Sequence, residues 1–141
     1  MKLSFRAQLF LKRIFDVLFA VLLLILLAPI SLVVAGAVRI VMGSPVVYRQ
    51  PRLGQGEETF QILKFRTMTM EKDRDGNFLP NRDRITPLGR FLRRTTLDEI
   101  PELVNVLKGE MSIVGPRPLL VDYRELYTSE QRRRHEMPPG M

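Results

Sequence analysis

From Val17 to Val38 the chain is almost unbroken in apolar residues, with Pro29 near the middle, Lys12 and Arg13 just before it and Arg39 just after. About 20 apolar residues cross the hydrocarbon core of a bilayer, so this segment belongs in lipid. Three readings follow. As a secretory signal, Lys2, Arg6, Lys12 and Arg13 would form the charged start and Ala35-Gly36-Ala37 the cleavage site; the run is longer than the about 7–15 residues of a signal core. A plain spanning helix is the second. The third is a helix that enters, breaks at Pro29 and returns. Proline lacks an N–H and clashes with the carbonyl one turn earlier. In lipid that freed carbonyl needs a partner, and the Ser31 hydroxyl is near enough in sequence to supply one. Basic residues stay on the cytoplasmic side; they flank both ends here, which suits re-entry and not spanning. Between span and re-entry the residues alone leave the choice open. Asp16, at the entrance, reads as a solvated interface residue able to pair with Lys12 or Arg13.

Beyond Arg39 the pattern changes. Met42-Gly43-Ser44-Pro45 predicts a turn, and Val46-Val47-Tyr48 a short strand. Pro51 to Gly56 has the glycines of a hairpin loop, and Thr59 to Phe65 alternates as the returning strand. Asp73 to Arg84 is polar and predicts a loop. From Thr86 the period becomes helical, with Leu88, Phe91 and Leu92 on one face and Arg90, Arg93 and Arg94 mostly off it, toward solvent or lipid headgroups. A helix ending at Lys108-Gly109 follows. Its start has two registers: Thr96 with Glu99 as a capping box, or Asp98 as the cap with Pro101 in the first turn. Either puts Asp98 and Glu99 at the positive end of a helix, as ordinary capping acids or as carboxylates beside a metal and phosphates. Pro116 and Pro118 stiffen the loop that carries Arg117, a rigidity useful for gripping a phosphate; a simple turn is the alternative. A last helix is predicted over 121–136, with Arg132-Arg133-Arg134 on a solvated or membrane-facing side and a lone His135 without an evident metal partner. The fold class is α+β, mainly helical. An N-terminal membrane helix (residues 1–40) precedes a small domain (41–141) with a short β-hairpin and amphipathic helices.

Composition narrows the partners. The 141 residues carry 22 Lys+Arg against 15 Asp+Glu, a net charge of +7, which favours phospholipid headgroups, nucleotides and lipid phosphates. Nucleic acid is not expected, because no platform of interleaved aromatic and basic residues is present. Without cysteine there is no disulfide and no thiolate metal site, as suits a reducing compartment.

Lys12 to Asp16, Gly43-Ser44, Gln50 to Gly54, Phe60 to Met68, Thr96 to Pro101 and Asn105 to Pro118 occur in order across nearly the whole chain. In these stretches the sequence resembles the bacterial monotopic phosphoglycosyl transferases, the bacterial sugar transferases or undecaprenyl-phosphate sugar phosphotransferases. The resemblance implies an enzyme on the cytoplasmic leaflet of the bacterial inner membrane, anchored by a re-entrant, proline-broken helix. It implies transfer of a phosphosugar from a UDP-sugar to polyprenol phosphate, with UMP released, as an opening step of glycan assembly. It further implies Mg²⁺ and an Asp-Glu dyad, which maps onto Asp98 and Glu99. Asp98 would carry the phosphosugar covalently, and Glu99 would assist metal binding or proton handling. Lys64, Arg66, Arg93 and Arg117 are the candidates for phosphate and uridine-diphosphate contacts.

Two departures stand out. Many relatives have Ser-Pro at the membrane break, where this chain has Ala28-Pro29. Relatives also continue past the Pro-Gly that precedes Met141 with a Thr-Gly-Trp-rich loop and further helices. The expectation is that a C-terminal part of the family domain is missing here. An inactive, membrane-anchored domain that binds anionic lipid or a partner is the alternative to an enzyme.

Overall fold

The computed structural model describes residues 5–141. Helix dominates, and a two-stranded hairpin is the only sheet among the described residues. Helix α1 (Phe5–Met42) contains the whole apolar run and continues through Pro29. Strand β1 (Val47–Leu53) pairs with β2 (Thr59–Phe65). The turn between them covers 54–58, closed by the Gly54 amide on the Glu58 carbonyl at 2.8 Å. The pattern predicts a loop from Pro51. In fact β1 runs on through that residue, which a strand tolerates where no ladder donor is required.

The chain divides into two compact units. Among the described residues, the first comprises 5–26, 49–63 and 102–141, and the second 27–48 and 64–101.

In the first unit, helix α4 (Glu102–Lys108) supplies the core residues Leu103 and Val106. Asn105, fully buried, acts as a surrogate strand. Its Oδ1 accepts from the Leu63 amide at 3.0 Å, and its Nδ2 donates to the Gln61 carbonyl at 2.8 Å and to Glu110 Oε2 at 2.6 Å. The edge of β2 is thereby satisfied by a side chain, and the edge of β1 is covered by the Leu53 amide on the Leu119 carbonyl at 3.1 Å. The base of α1 is tied to this unit by its polar residues. Arg13 donates to the Val106 and Leu107 carbonyls at 2.6 and 2.9 Å, capping the α4 C-terminus just before Gly109, whose φ of +89° makes the left-handed exit. Asp16 is not the solvated residue predicted: it is only 4% exposed. It pairs with Lys12 at 3.1 Å and accepts from the Ser112 hydroxyl at 2.8 Å and the Ile113 amide at 3.2 Å. Lys12 also donates to Ser112. A buried carboxylate persists only with such a set of partners.

The predicted helix over 121–136 is instead a 3₁₀ segment (Val121–Leu126), a one-turn helix α5 (Ser129–Arg132) and a second 3₁₀ turn (Arg133–Glu136). A capping box between Thr128 and Gln131 starts α5 afresh, because the extended Tyr127 ends the preceding turn. Arg132 is not simply solvated either; it holds Glu57 through two 2.8 Å contacts.

In the second unit, the 73–84 region is a loop as predicted, organised by Asp73 Oδ1, which accepts from the Asp75 and Asn77 amides at 2.9 Å. It ends in the single turn α2 (Asn81–Arg84). Helix α3 (Pro87–Thr95) begins where the pattern predicts: Thr86 Oγ1 accepts from the Gly89 amide at 2.9 Å and Pro87 takes the first turn. Its inner face is Gly89 and Leu92, while Phe91, predicted to join Leu92, is 56% exposed. The reason is close packing. A Cβ on Gly89 would fall 1.9 Å from the Thr67 carbonyl oxygen, so α3 lies on backbone at Gly89 and turns Phe91 outward.

Candidate active site

The acids singled out by the sequence lie just after α3. Thr96 closes that helix in the left-handed region, φ 57°, and a 3₁₀ turn, Leu97–Glu99, follows. The predicted capping box is absent, since Thr96 makes no side-chain cap and its hydroxyl donates instead to the Thr95 carbonyl. A left-handed residue cannot also take the extended conformation of an N-cap. Helix α4 starts only at Glu102, so Asp98 and Glu99 sit ahead of it in their own turn and not in its first turn.

This turn sets the two carboxylates apart in environment. Asp98 is only 8% exposed. Burial pushes its carboxyl above the ordinary range, and the Glu99 charge adds to this. Lys64, its own backbone amide and Arg93 pull the other way without overcoming it. Glu99, more exposed, is in contact with Lys64 at 2.6 Å. Arg93 is held by its Nε donating to Thr67 Oγ1 at 2.9 Å. The unit thus gathers one buried acid, one ion-paired acid and two cations acting on the buried acid. An adjacent pair with opposed environments is a pattern typical of functional carboxylates.

Arg66 belongs to the same unit but stands differently. It is 5% exposed, its Nε is buried without a hydrogen-bond partner, and burial lowers the affinity of its guanidinium for the proton. A buried cation with an unmet donor is suited to an anionic ligand. Arg117 lies in the first unit, exposed on the Pro116–Pro118 loop. His135 is buried there as well, with Nδ1 3.2 Å from the Gly54 carbonyl and its ring edge-on to Tyr127 at 5.4 Å.

Sequence reasoning passes over Thr67, which orients Arg93, and Gly89, which lets α3 reach Thr67. Neither carries a strong local signal, although a glycine inside a helical stretch hints at close backbone approach. Among the described residues no three His, Cys, Asp or Glu side chains gather as a metal cluster. Asp98 and Glu99 nevertheless fit Mg²⁺, which takes hard oxygens, keeps several waters and shares substrate phosphates, so that one or two carboxylates suffice. A cation there would also relieve the repulsion by which Glu99 raises Asp98.

The model of the bacterial sugar transferase family matches residues 7–141, and the chain belongs to that family. It is 50% identical over 131 residues to the uncharacterized sugar transferase EpsL of Bacillus subtilis (strain 168), covering 93% of this chain and 65% of that protein. It is 42% identical over 135 residues to the UDP-glucose:undecaprenyl-phosphate glucose-1-phosphate transferase of Klebsiella pneumoniae, covering 92% of this chain and 29% of that enzyme. To the exopolysaccharide production protein ExoY of Sinorhizobium fredii (strain NBRC 101917 / NGR234) it is 40% identical over 147 residues, 92% of this chain and 65% of that protein. The chain therefore spans just under two thirds of EpsL and ExoY, and under a third of the Klebsiella enzyme.

Proposed function

We propose that this chain carries the catalytic dyad of a phosphoglycosyl transferase, moving a phosphosugar from a UDP-sugar to polyprenol phosphate at the membrane. The observation that carries this reading is the buried Asp98 carboxyl beside the Lys64–Glu99 pair and Arg93, in a member of a family that includes an undecaprenyl-phosphate glucose-1-phosphate transferase. In the first half, an Asp98 carboxylate oxygen attacks the β-phosphorus of the donor. The bond from that phosphorus to the bridging oxygen breaks, and its electron pair leaves with UMP. The phosphosugar stays on Asp98 as an acyl phosphate. In the second half, a phosphate oxygen of the polyprenol phosphate attacks the same phosphorus and expels the carboxylate. Glu99 assists metal binding or proton handling in this half. Lys64, Arg66, Arg93 and Arg117 neutralise the phosphates. Asp98 and Glu99 would hold Mg²⁺, whose charge would let the two anionic substrates meet.

Asp98 works ionised, so turnover falls as pH drops through its pKa. In the metal-free protein burial raises that pKa above the ordinary aspartate value of about 3.9. Lys64 is the strongest of the cations lowering it. Lys64→Met is therefore expected to move the acid limb upward; an unmoved or lowered limb would contradict the assignment. The reaction itself is tested by UMP release from a panel of UDP-sugars with Mg²⁺ and undecaprenyl phosphate. At least one sugar is expected to support turnover, and silence across the panel sinks the reading.

Re-entry of α1 from the cytoplasmic face is part of this proposal, and chain path supports it. Leu18, Ile25, Leu32 and Val33 are 65–74% exposed, as lipid-facing residues are. Among the described residues α1 alone is long and apolar enough to cross a bilayer, which supports placing the stretch after Met42 on one side. Arg13 and Asp16 bond to residues of that later stretch, Val106, Leu107, Ser112 and Ile113. In this proposal both ends of the helix share a side. The exposed apolar residues extend from Leu9 to Val41, about 50 Å of straight helix against a core of about 30 Å. A bend at Pro29 would accommodate the excess. Cysteines introduced singly at Gln8 and Gly43 of this cysteine-free chain should both react with an impermeant maleimide from the cytoplasmic side; labelling from opposite sides excludes re-entry.

A further inference from the structure

The loop that carries Arg117 is fixed carbonyl by carbonyl. The Pro116 carbonyl accepts from the Gly140 amide at 2.9 Å, the Arg117 carbonyl from Arg134 Nη2 at 2.8 Å, the Pro118 carbonyl from Arg52 Nη1 at 3.3 Å and the Leu119 carbonyl from the Leu53 amide at 3.1 Å. Four successive acceptors thus have four separate donors, and the flanking prolines leave no amide hydrogen of their own to rearrange. Arg134 is itself oriented. Its guanidinium lies 6.0 Å from the Tyr127 ring centroid, and that ring packs edge-on against buried His135. Residues 138–140 also approach the loop closely at its backbone: a Cβ on Gly115 would fall 2.4 Å from the Pro138 carbonyl oxygen. All these residues lie within the first unit.

We propose that Arg134 is a positioning residue. By holding the Arg117 carbonyl it sets the direction in which the Pro-Arg-Pro loop offers the Arg117 guanidinium to a nucleotide diphosphate. This rests on the binding role proposed for Arg117. A guanidinium gains most from phosphate when its fork is preoriented, and the hydrogen bond at the Arg117 main chain supplies that orientation without adding a ligand contact.

The test is a double-mutant cycle on the full chain, read as affinity for UDP and as KM and kcat for the UDP-sugar. Arg117→Ala should weaken UDP about tenfold or more, the loss of one charge-assisted contact. Arg134→Ala should weaken it several-fold and raise KM by a like factor, with kcat nearly constant. Arg134→Lys, still a donor, should recover part of the loss. In the Arg117→Ala background, Arg134→Ala should change affinity less than about twofold, because the two act through one side chain. Additive losses, or an Arg134→Ala protein that lowers kcat and leaves KM alone, would overturn the positioning role. If Arg117→Ala itself leaves UDP affinity intact, the binding role of Arg117 falls and the positioning of it with it. Thermal unfolding of each variant separates these results from loss of fold.

Discussion

Asp98→Asn is expected to abolish UMP release while leaving the protein folded and in the membrane. The amide is nearly isosteric with the carboxyl, but it is no nucleophile toward phosphorus, so a double-displacement route loses its first step and not merely part of its rate. Removal of a covalent nucleophile costs on the order of 10⁴-fold or more in comparable systems. Stability should move in the opposite direction. Burial raises the Asp98 pKa in the folded state, so the folded protein binds this proton more tightly than the unfolded chain does. The group therefore contributes its stability at low pH, below the unfolded value, and that contribution is lost as pH rises through the folded pKa. At neutral pH the ionised carboxylate is a burden on the fold, and Asp98→Asn should melt no lower than the parent. Its advantage should shrink as the sample is acidified. A variant that lost both turnover and stability would point to a structural acid.

Gly89→Ala carries the largest expected effect on the fold of the site. The added methyl would lie 1.9 Å from the Thr67 carbonyl oxygen and 2.7 Å from its carbon, and neither is the flexible end of a side chain. Helix α3 must then lift from Thr67, which breaks the Arg93–Thr67 hydrogen bond and shifts a cation that acts on Asp98. Overpacking of this kind costs about 1–3 kcal/mol or more. For a domain of this size that corresponds to a fall in Tm of about 3–12 °C. Thermal unfolding in detergent reads it directly. Gly36, with open space around its Cβ position, is the control: Gly36→Ala should leave Tm within a few degrees.

How much of this is visible in the sequence depends on how local each feature is. The start of α3 is legible because Thr86 and Pro87 cap and preset a helix with their own atoms. The hairpin and the Lys108-Gly109 exit are legible for the same reason. Asp16 misleads only in its burial: the pairing with Lys12 is legible, but its other partners, Ser112 and Ile113, are nearly a hundred residues away, and nothing near Asp16 announces them. Asn105 escapes notice likewise, since a side chain standing in for a strand edge leaves no periodic signature. The capping box at Thr96 fails because two local rules compete for one residue, and the left-handed end of α3 prevails. Asp98 and Glu99 are found through family motifs, while their contrast in burial and pairing emerges only in three dimensions.

The central claim is that a phosphosugar rests on Asp98 between two half-reactions. It is tested most directly by incubating the protein with a UDP-sugar and Mg²⁺ without polyprenol phosphate, then mapping the quenched protein by peptide mass spectrometry. The account predicts stoichiometric UMP release and a phosphosugar adduct confined to the peptide containing Asp98, absent in Asp98→Asn and discharged by added polyprenol phosphate. Turnover that proceeds only when both substrates are present, with no UMP burst and no adduct on that peptide, would contradict it.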